Sequence, residues 1–108
     1  MEDKDYRKEV GTIFQGMLKR LDVIDPDILE AELSQGTLVV VSKGKKTILS
    51  LQPPVKQIWL AVASEGIALH FTRSAKGEWM DDKGQGHELY AFTERVLSKL
   101  SGQSIHLK

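Results

Sequence analysis

Five carboxylates fall between residues 22 and 35 of this chain, Asp22, Asp25, Asp27, Glu30 and Glu32, with no basic residue among them. Carboxylate oxygens suit hard cations such as iron, calcium and magnesium, and acids spread over a surface attract an ion without caging it. Binding of that kind is weak and unselective. Glu30 and Glu32 are the strongest pair, because a strand repeats every two residues and keeps them side by side on one face. The same run also reads as an ordinary solvated face that keeps the protein soluble, and the residues by themselves leave both readings open.

Other chemistry is scarce. There are no cysteines, so the chain has no disulfide, no thiolate nucleophile, and none of the thiolate ligands usual for zinc or an iron–sulfur cluster. His70, His87 and His106 lack metal-ligand spacing with a third acid or histidine. No Gly-x-Ser-x-Gly elbow is present, and no nucleophile is placed beside a histidine–acid pair. Gly84-Gln85-Gly86 lacks the third glycine of a nucleotide loop and reads as a turn. Lys43, Lys45 and Lys46 read as solvated hairpin chemistry. The expectation is a protein that binds and is not an enzyme, although weak iron oxidation at a carboxylate surface would need no such motif.

These residues must be held by a scaffold, and hydrophobic periodicity describes it. Tyr6, Val10, Ile13, Phe14, Met17, Leu18 and Leu21 are spaced as one stripe of an α-helix, which must end before Pro26. The period then drops to two. Leu29, Ala31 and Leu33 alternate with Glu30 and Glu32, and turns at Gln35-Gly36 and Lys43-Gly44-Lys45 lead into strands 37–42 and 46–51. Gln52-Pro53-Pro54 forces a turning connection to a fourth strand, 56–62. Within it Ile58 and Leu60 share one face, and Gln57 and Trp59 the other.

With Ile58 and Leu60 in the core, Trp59 faces solvent. Tryptophan carries about 200 Å² of contact area and is enriched at binding hot spots, so an outward Trp59 points to a partner. The competing reading inverts the strand or packs Trp59 under the 52–56 loop. Strands at 67–72 and 78–80 follow, with Trp79 read as structural. Leu89, Phe92, Val96, Leu97 and Leu100 form a second helical stripe that stops at Gly102. Ser104 to Lys108 reads as an extended tail.

The expected fold is therefore one α+β domain over residues 1–108, a two-layer sandwich with both helices on one face of an antiparallel sheet of five or six strands. The net charge of zero conceals an asymmetry. Residues 1–35 hold nine acids against five bases, a net −4, and residues 36–108 balance them with six acids and ten bases. A partner drawn to the first region should be cationic. Basic and aromatic residues are not interleaved as single-stranded nucleic acid requires, so no nucleic-acid partner is expected. No stretch suits a membrane span, no targeting segment is evident, and a cytoplasmic location is expected.

Two segments, TILSLQPPVKQIWLA from Thr47 to Ala61 and GIALHFTRSAKGEWMDD from Gly66 to Asp82, resemble the frataxins, most closely their bacterial, CyaY-type members. Gln57-Ile58-Trp59-Leu60, Gly66, His70-Phe71, Trp79 and Glu88-Leu89 carry the resemblance. It implies a frataxin-type α-β-α fold and a part in iron–sulfur cluster assembly. The implied cofactor is iron, ferrous or ferric, bound weakly and reversibly on an acidic ridge, here Asp22, Asp25, Asp27, Glu30 and Glu32 with Asp3 and Asp5 near the start of the helix. The implied partners are a cysteine desulfurase and an iron–sulfur scaffold protein, docked through that ridge and through Gln52, Gln57 and Trp59. The resemblance also leaves an iron chaperone, a weak ferroxidase or an iron-storage protein as the alternative function. The implied state is a monomer, with metal-dependent oligomerisation as the variant. This chain departs from the pattern at Leu18 and Lys19, where members often carry acids, at Ser50, at Leu69 and in its neutral charge.

Overall fold

The computed structural model describes residues 1–108. The first helix, α1 (Asp3–Asp22), buries Tyr6, Val10, Phe14, Met17 and Leu21 along one stripe. Asp3 and Asp5 in its first turn and Lys19 and Arg20 in its last complement the helix dipole. The chain then turns through Asp25, whose carboxylate accepts the Asp27 amide at 2.9 Å.

Six antiparallel strands follow as a simple meander: β1 (Glu30–Ser34), β2 (Thr37–Ser42), β3 (Lys45–Gln52), β4 (Gln57–Val62), β5 (Ile67–Arg73) and β6 (Trp79–Asp81), each paired with the next. The first two hairpins close on residue pairs with positive φ, Gln35 (50°) with Gly36 (78°) and Lys43 (53°) with Gly44 (77°). That is the two-residue turn whose twist matches paired strands. A Cβ at Gly36 would also sit 3.2 Å from the Leu51 side chain, which would have to shift by a few tenths of an ångström. Pro53–Val55 forms one 3-10 turn closed by Lys56 at φ 51°, which is why β4 begins at Gln57 and not at residue 56.

Register makes the two sheet faces chemically distinct. On the inner face Leu33, Leu38, Leu49, Leu60 and Leu69 are successive cross-strand partners over five strands. In β4, Ile58, Leu60 and Val62 are buried while Gln57 and Trp59 are half-buried. Both helices pack on the inner face, as the periodicity predicts. The second, α2 (Leu89–Ser101), is capped by the Glu88 carboxylate, which accepts the Tyr90 and Ala91 amides at 2.9 and 3.0 Å. It ends at Gly102, in the left-handed region at φ 73°.

The tail closes the core. Residues 104–108 are irregular but docked: Ile105 and Leu107 are each 3% exposed and belong to the core cluster. The Ile105 amide donates to Ser98 Oγ at 2.9 Å and the Leu107 amide to Glu94 Oε2 at 2.7 Å. The alternation Ile105–His106–Leu107 is too short to distinguish a docked segment from a free one.

Candidate functional site

The outer sheet face carries no helix, and Trp59 lies on it as the period-two reading requires. It is half-buried rather than fully open, because its cross-strand partner His70 covers one side of the ring. The two rings stack with centroids 4.2 Å apart and planes 11° from parallel. The indole Nε1–H donates to Gln57 Oε1 at 2.8 Å, and Gln57 Nε2 donates onward to Asp82 Oδ2 at 3.3 Å. His70 Nδ1 lies 3.6 Å from that same Asp82 oxygen. The Asp82 amide donates to the His70 carbonyl at 2.8 Å. Trp59 is therefore held by a stack and a hydrogen-bonded chain, and loses little freedom when a partner covers it.

Gln52, the third expected docking residue, sits opposite Gln57 in the β3–β4 register. Its side-chain amide donates to Ser50 Oγ at 3.2 Å, and Ser50 is the β3 partner of Trp59. Gln52, Gln57 and Trp59 thus form one patch. From the core side, the buried Tyr6 hydroxyl donates to the Gln57 carbonyl and accepts the Gln52 amide at 2.9 Å. This ties α1 to the base of the patch.

The carboxylates divide into separate groups. Glu30 and Glu32 are exposed and share the outer face with Trp59. They stand about 16–20 Å away, three strand spacings across the sheet and two to four residues along it, since the register of Glu32 runs through Val39 and Ile48 to Ala61 while that of Trp59 runs through Ser50 and Thr37 to Ser34. Asp22, Asp25 and Asp27 lie where α1 gives way to β1. Asp3 and Asp5 sit at the other end of α1, about 25–28 Å from Asp22 at about 1.5 Å per residue. Asp3 is also engaged, accepting Arg7 Nε at 2.7 Å. Nowhere do three histidines, aspartates or glutamates converge so that they could hold a metal ion. These acids do not fit a resident iron centre; they form a charged edge.

Asp81 was not singled out from the sequence, yet it builds the loop that carries Asp82. Its Oδ1 accepts the Lys83 and Gln85 amides at 3.1 and 3.0 Å, and its Oδ2 accepts the His87 amide at 2.7 Å. These bonds, the Gln85 amide foremost, hold its carboxyl below the ordinary 3.8 against the opposing effect of burial. A carboxylate with a depressed folded-state pKa stabilises the fold above its ordinary value and loses that contribution as pH falls through the depressed one. Acid titration followed by amide exchange should therefore show the Gln85 and His87 amides protected at pH 3.8 and released only at lower pH. Release above pH 3.8 would contradict this assignment.

Glu9 was also missed; its Oε2 accepts Arg73 Nε at 2.8 Å and the Trp79 indole at 2.9 Å. Trp79 is 3% exposed and structural, as expected. Bonds across 64 and 70 residues leave no local signal in the sequence.

The frataxin-like domain family matches residues 1–103 of the chain. The chain belongs to the frataxin-like, CyaY family. The iron–sulfur cluster assembly protein CyaY of Paraburkholderia phymatum is 33% identical over 108 residues, covering 99% of this frataxin and 98% of that protein. The protein of the same name from Tolumonas auensis is 35% identical over 109 residues and covers 99% of each. The structure of frataxin from Psychromonas ingrahamii superposes with a TM-score of 0.87 over 100% of this chain and 99% of that one, at 20% identity. That likeness establishes the shared frataxin fold.

Proposed function

We propose that this frataxin is an adaptor in iron–sulfur cluster assembly that docks its outer sheet face on a cysteine desulfurase–scaffold complex and adjusts the rate of cluster formation. The observation that carries the reading is Trp59, stacked on His70 and bonded to Gln57 on a face no helix covers. A preorganised aromatic on an open sheet is what a binding hot spot needs. The names of the relatives from Paraburkholderia phymatum and Tolumonas auensis support the process. Glu30 and Glu32, on the same face, add a negative edge for a basic partner surface. The role proposed is one of binding and not of catalysis.

Iron enters the proposal as cargo, drawn loosely to Asp22, Asp25, Asp27, Glu30 and Glu32 by charge and retaining most of its water ligands. An iron chaperone or ferroxidase is the second reading, placed lower because no three donors converge. Affinity for a purified desulfurase–scaffold complex tests the first. Trp59→Ala should weaken binding at least tenfold, and Glu30→Lys combined with Glu32→Lys should do so in a salt-dependent way. Unchanged affinity in both variants would overturn the docking reading.

A further inference from the structure

The largest concavity in the molecule lies away from the Trp59 face, between α1 and the β1–β2 turn. It is a groove of about 750 Å³ with an apolar floor that includes Val10, Phe14 and Leu33. Its charged lining residues are Arg7, Lys8 and Lys19, with no acid among them. Within residues 1–35, which carry net negative charge, this is a local reversal. Arg7 is partly neutralised by Asp3, while Lys8 and Lys19 make no ion pair.

Two further features belong to the same groove. Gly11 and Gly16 lie inside α1 and line it, although glycine weakens a helix interior relative to alanine. Packing within the chain does not require them, since a Cβ at either would meet nothing within 4 Å. Their effect is to keep the groove wide. Beside it, β1 is the outermost strand of the sheet, paired only with β2, and no hydrogen bond engages its other edge. An unpaired edge is a template for a further strand.

We propose that the α1–β1 groove receives an extended acidic segment of a partner protein, laid along the free edge of β1 with its carboxylates turned toward Lys8 and Lys19. The dimensions agree. Lys8 and Lys19 are separated by about 16 Å along the helix, which an extended chain covers in about five residues. Acids at every second position all face α1. The intervening side chains turn to the outer face, where Glu30 and Glu32 stand, so those positions are neutral or basic. Affinity comes from strand pairing, and selectivity from the alternation of charge. The groove is separate from the Trp59 patch, and its occupation does not depend on the role proposed for that patch.

A synthetic peptide, Thr-Glu-Thr-Glu-Thr-Glu-Thr, titrated into the isotope-labelled protein provides the test. The expected result is amide shift changes at Gly11, Gly16, Leu33 and Gly36, with none for the same peptide carrying lysine in place of glutamate. Lys8→Glu with Lys19→Glu should weaken binding at least tenfold while the rest of the spectrum stays native. Gly11→Ala with Gly16→Ala should raise the melting temperature yet weaken binding, a combination that purely structural glycines would not give. The proposal is overturned by an absence of shifts at those four amides at millimolar peptide, by equal binding of the lysine peptide, or by charge reversal without effect. It is likewise overturned if inorganic polyphosphate of matched charge binds the groove as tightly, because strand pairing would then contribute nothing.

Discussion

Removal of residues 104–108 is expected to cost about 3–6 kcal/mol of stability. Ile105 and Leu107 are each only 3% exposed, and fully burying an aliphatic side chain of this size is worth about 1.5–3 kcal/mol. The deletion also removes two amide donors, leaving Ser98 Oγ and Glu94 Oε2 without them, and takes Lys108 Nζ from 5.0 Å above the Tyr90 ring. Domains of this size hold about 5–15 kcal/mol in total, so the truncated protein should sit near the edge of folding. Urea unfolding of the full and shortened chains measures the difference. A loss below about 1 kcal/mol would mean that the tail is not docked in solution. Single exposed changes in the same segment, such as Ser104→Ala, should fall within about 0.5 kcal/mol.

Tyr6→Phe should cost about 1–3 kcal/mol through one oxygen atom. Tyr6 is fully buried, and its hydroxyl serves the Gln57 carbonyl and the Gln52 amide at the closed end of the β3–β4 hairpin. Phenylalanine fills the same space but leaves both backbone groups unsatisfied, and orphaned buried polar groups carry that penalty. Urea unfolding gives the energy, and faster exchange of the Gln52 amide locates it. Tyr90→Phe is the contrast, because the Tyr90 hydroxyl makes no hydrogen bond in the fold; it should be close to neutral. Burial, partly offset by the Gln52 bond, raises the Tyr6 phenol above its ordinary 10.0. The neutral form is the one the fold favours, so this contribution is intact below pH 10.0 and is lost as pH rises through the raised value. Alkaline titration should therefore couple Tyr6 ionisation to unfolding. The same substitution also loosens the backbone beneath Gln52 and Gln57, so partner binding should weaken modestly alongside stability.

These two predictions mark where sequence patterns carry information and where they cease to. Tyr6 is legible as a member of the α1 stripe, because its spacing to Val10 and Phe14 matches the helical period. Its hydroxyl bond is not legible, because its partners lie 46 and 51 residues along the chain. Ile105 and Leu107 alternate with His106 over too few residues to distinguish a docked segment from a free one. The same division runs through the outer face. That Trp59 and His70 lie on the open side of their strands follows from period two. That their rings stack follows from the β4–β5 register, which depends on the Ala63–Glu65 turn and on how the strands slide against the helices.

The carboxylates show it again. Glu30 and Glu32 are a pair because they are two apart in a strand. Asp3 and Asp5 are remote from the other members of the implied ridge, since a 20-residue helix holds them at the far end of α1. The absence of any three converging donors is a matter of where elements end, which composition does not record. The groove beside β1 was likewise invisible, because Lys8 and Lys19, Gly11 and Gly16, and the free strand edge become one surface only when α1 lies down on the sheet.

By itself the sequence determined the order of helix, strands and helix, the α+β class, and which residues of β1 and β4 share a face, which turns Trp59 outward once Ile58 and Leu60 are in the core. All of these follow from periodicities of 3.6 and 2 that act between near neighbours. Tertiary structure alone decided that Trp59 is half-covered by His70 and fixed through Gln57 to Asp82, that the acids form an edge and not a metal cage, and that the tail closes the core. Those outcomes rest on contacts between residues far apart in the chain, whose geometry is set by register and packing rather than by the identity of any one residue.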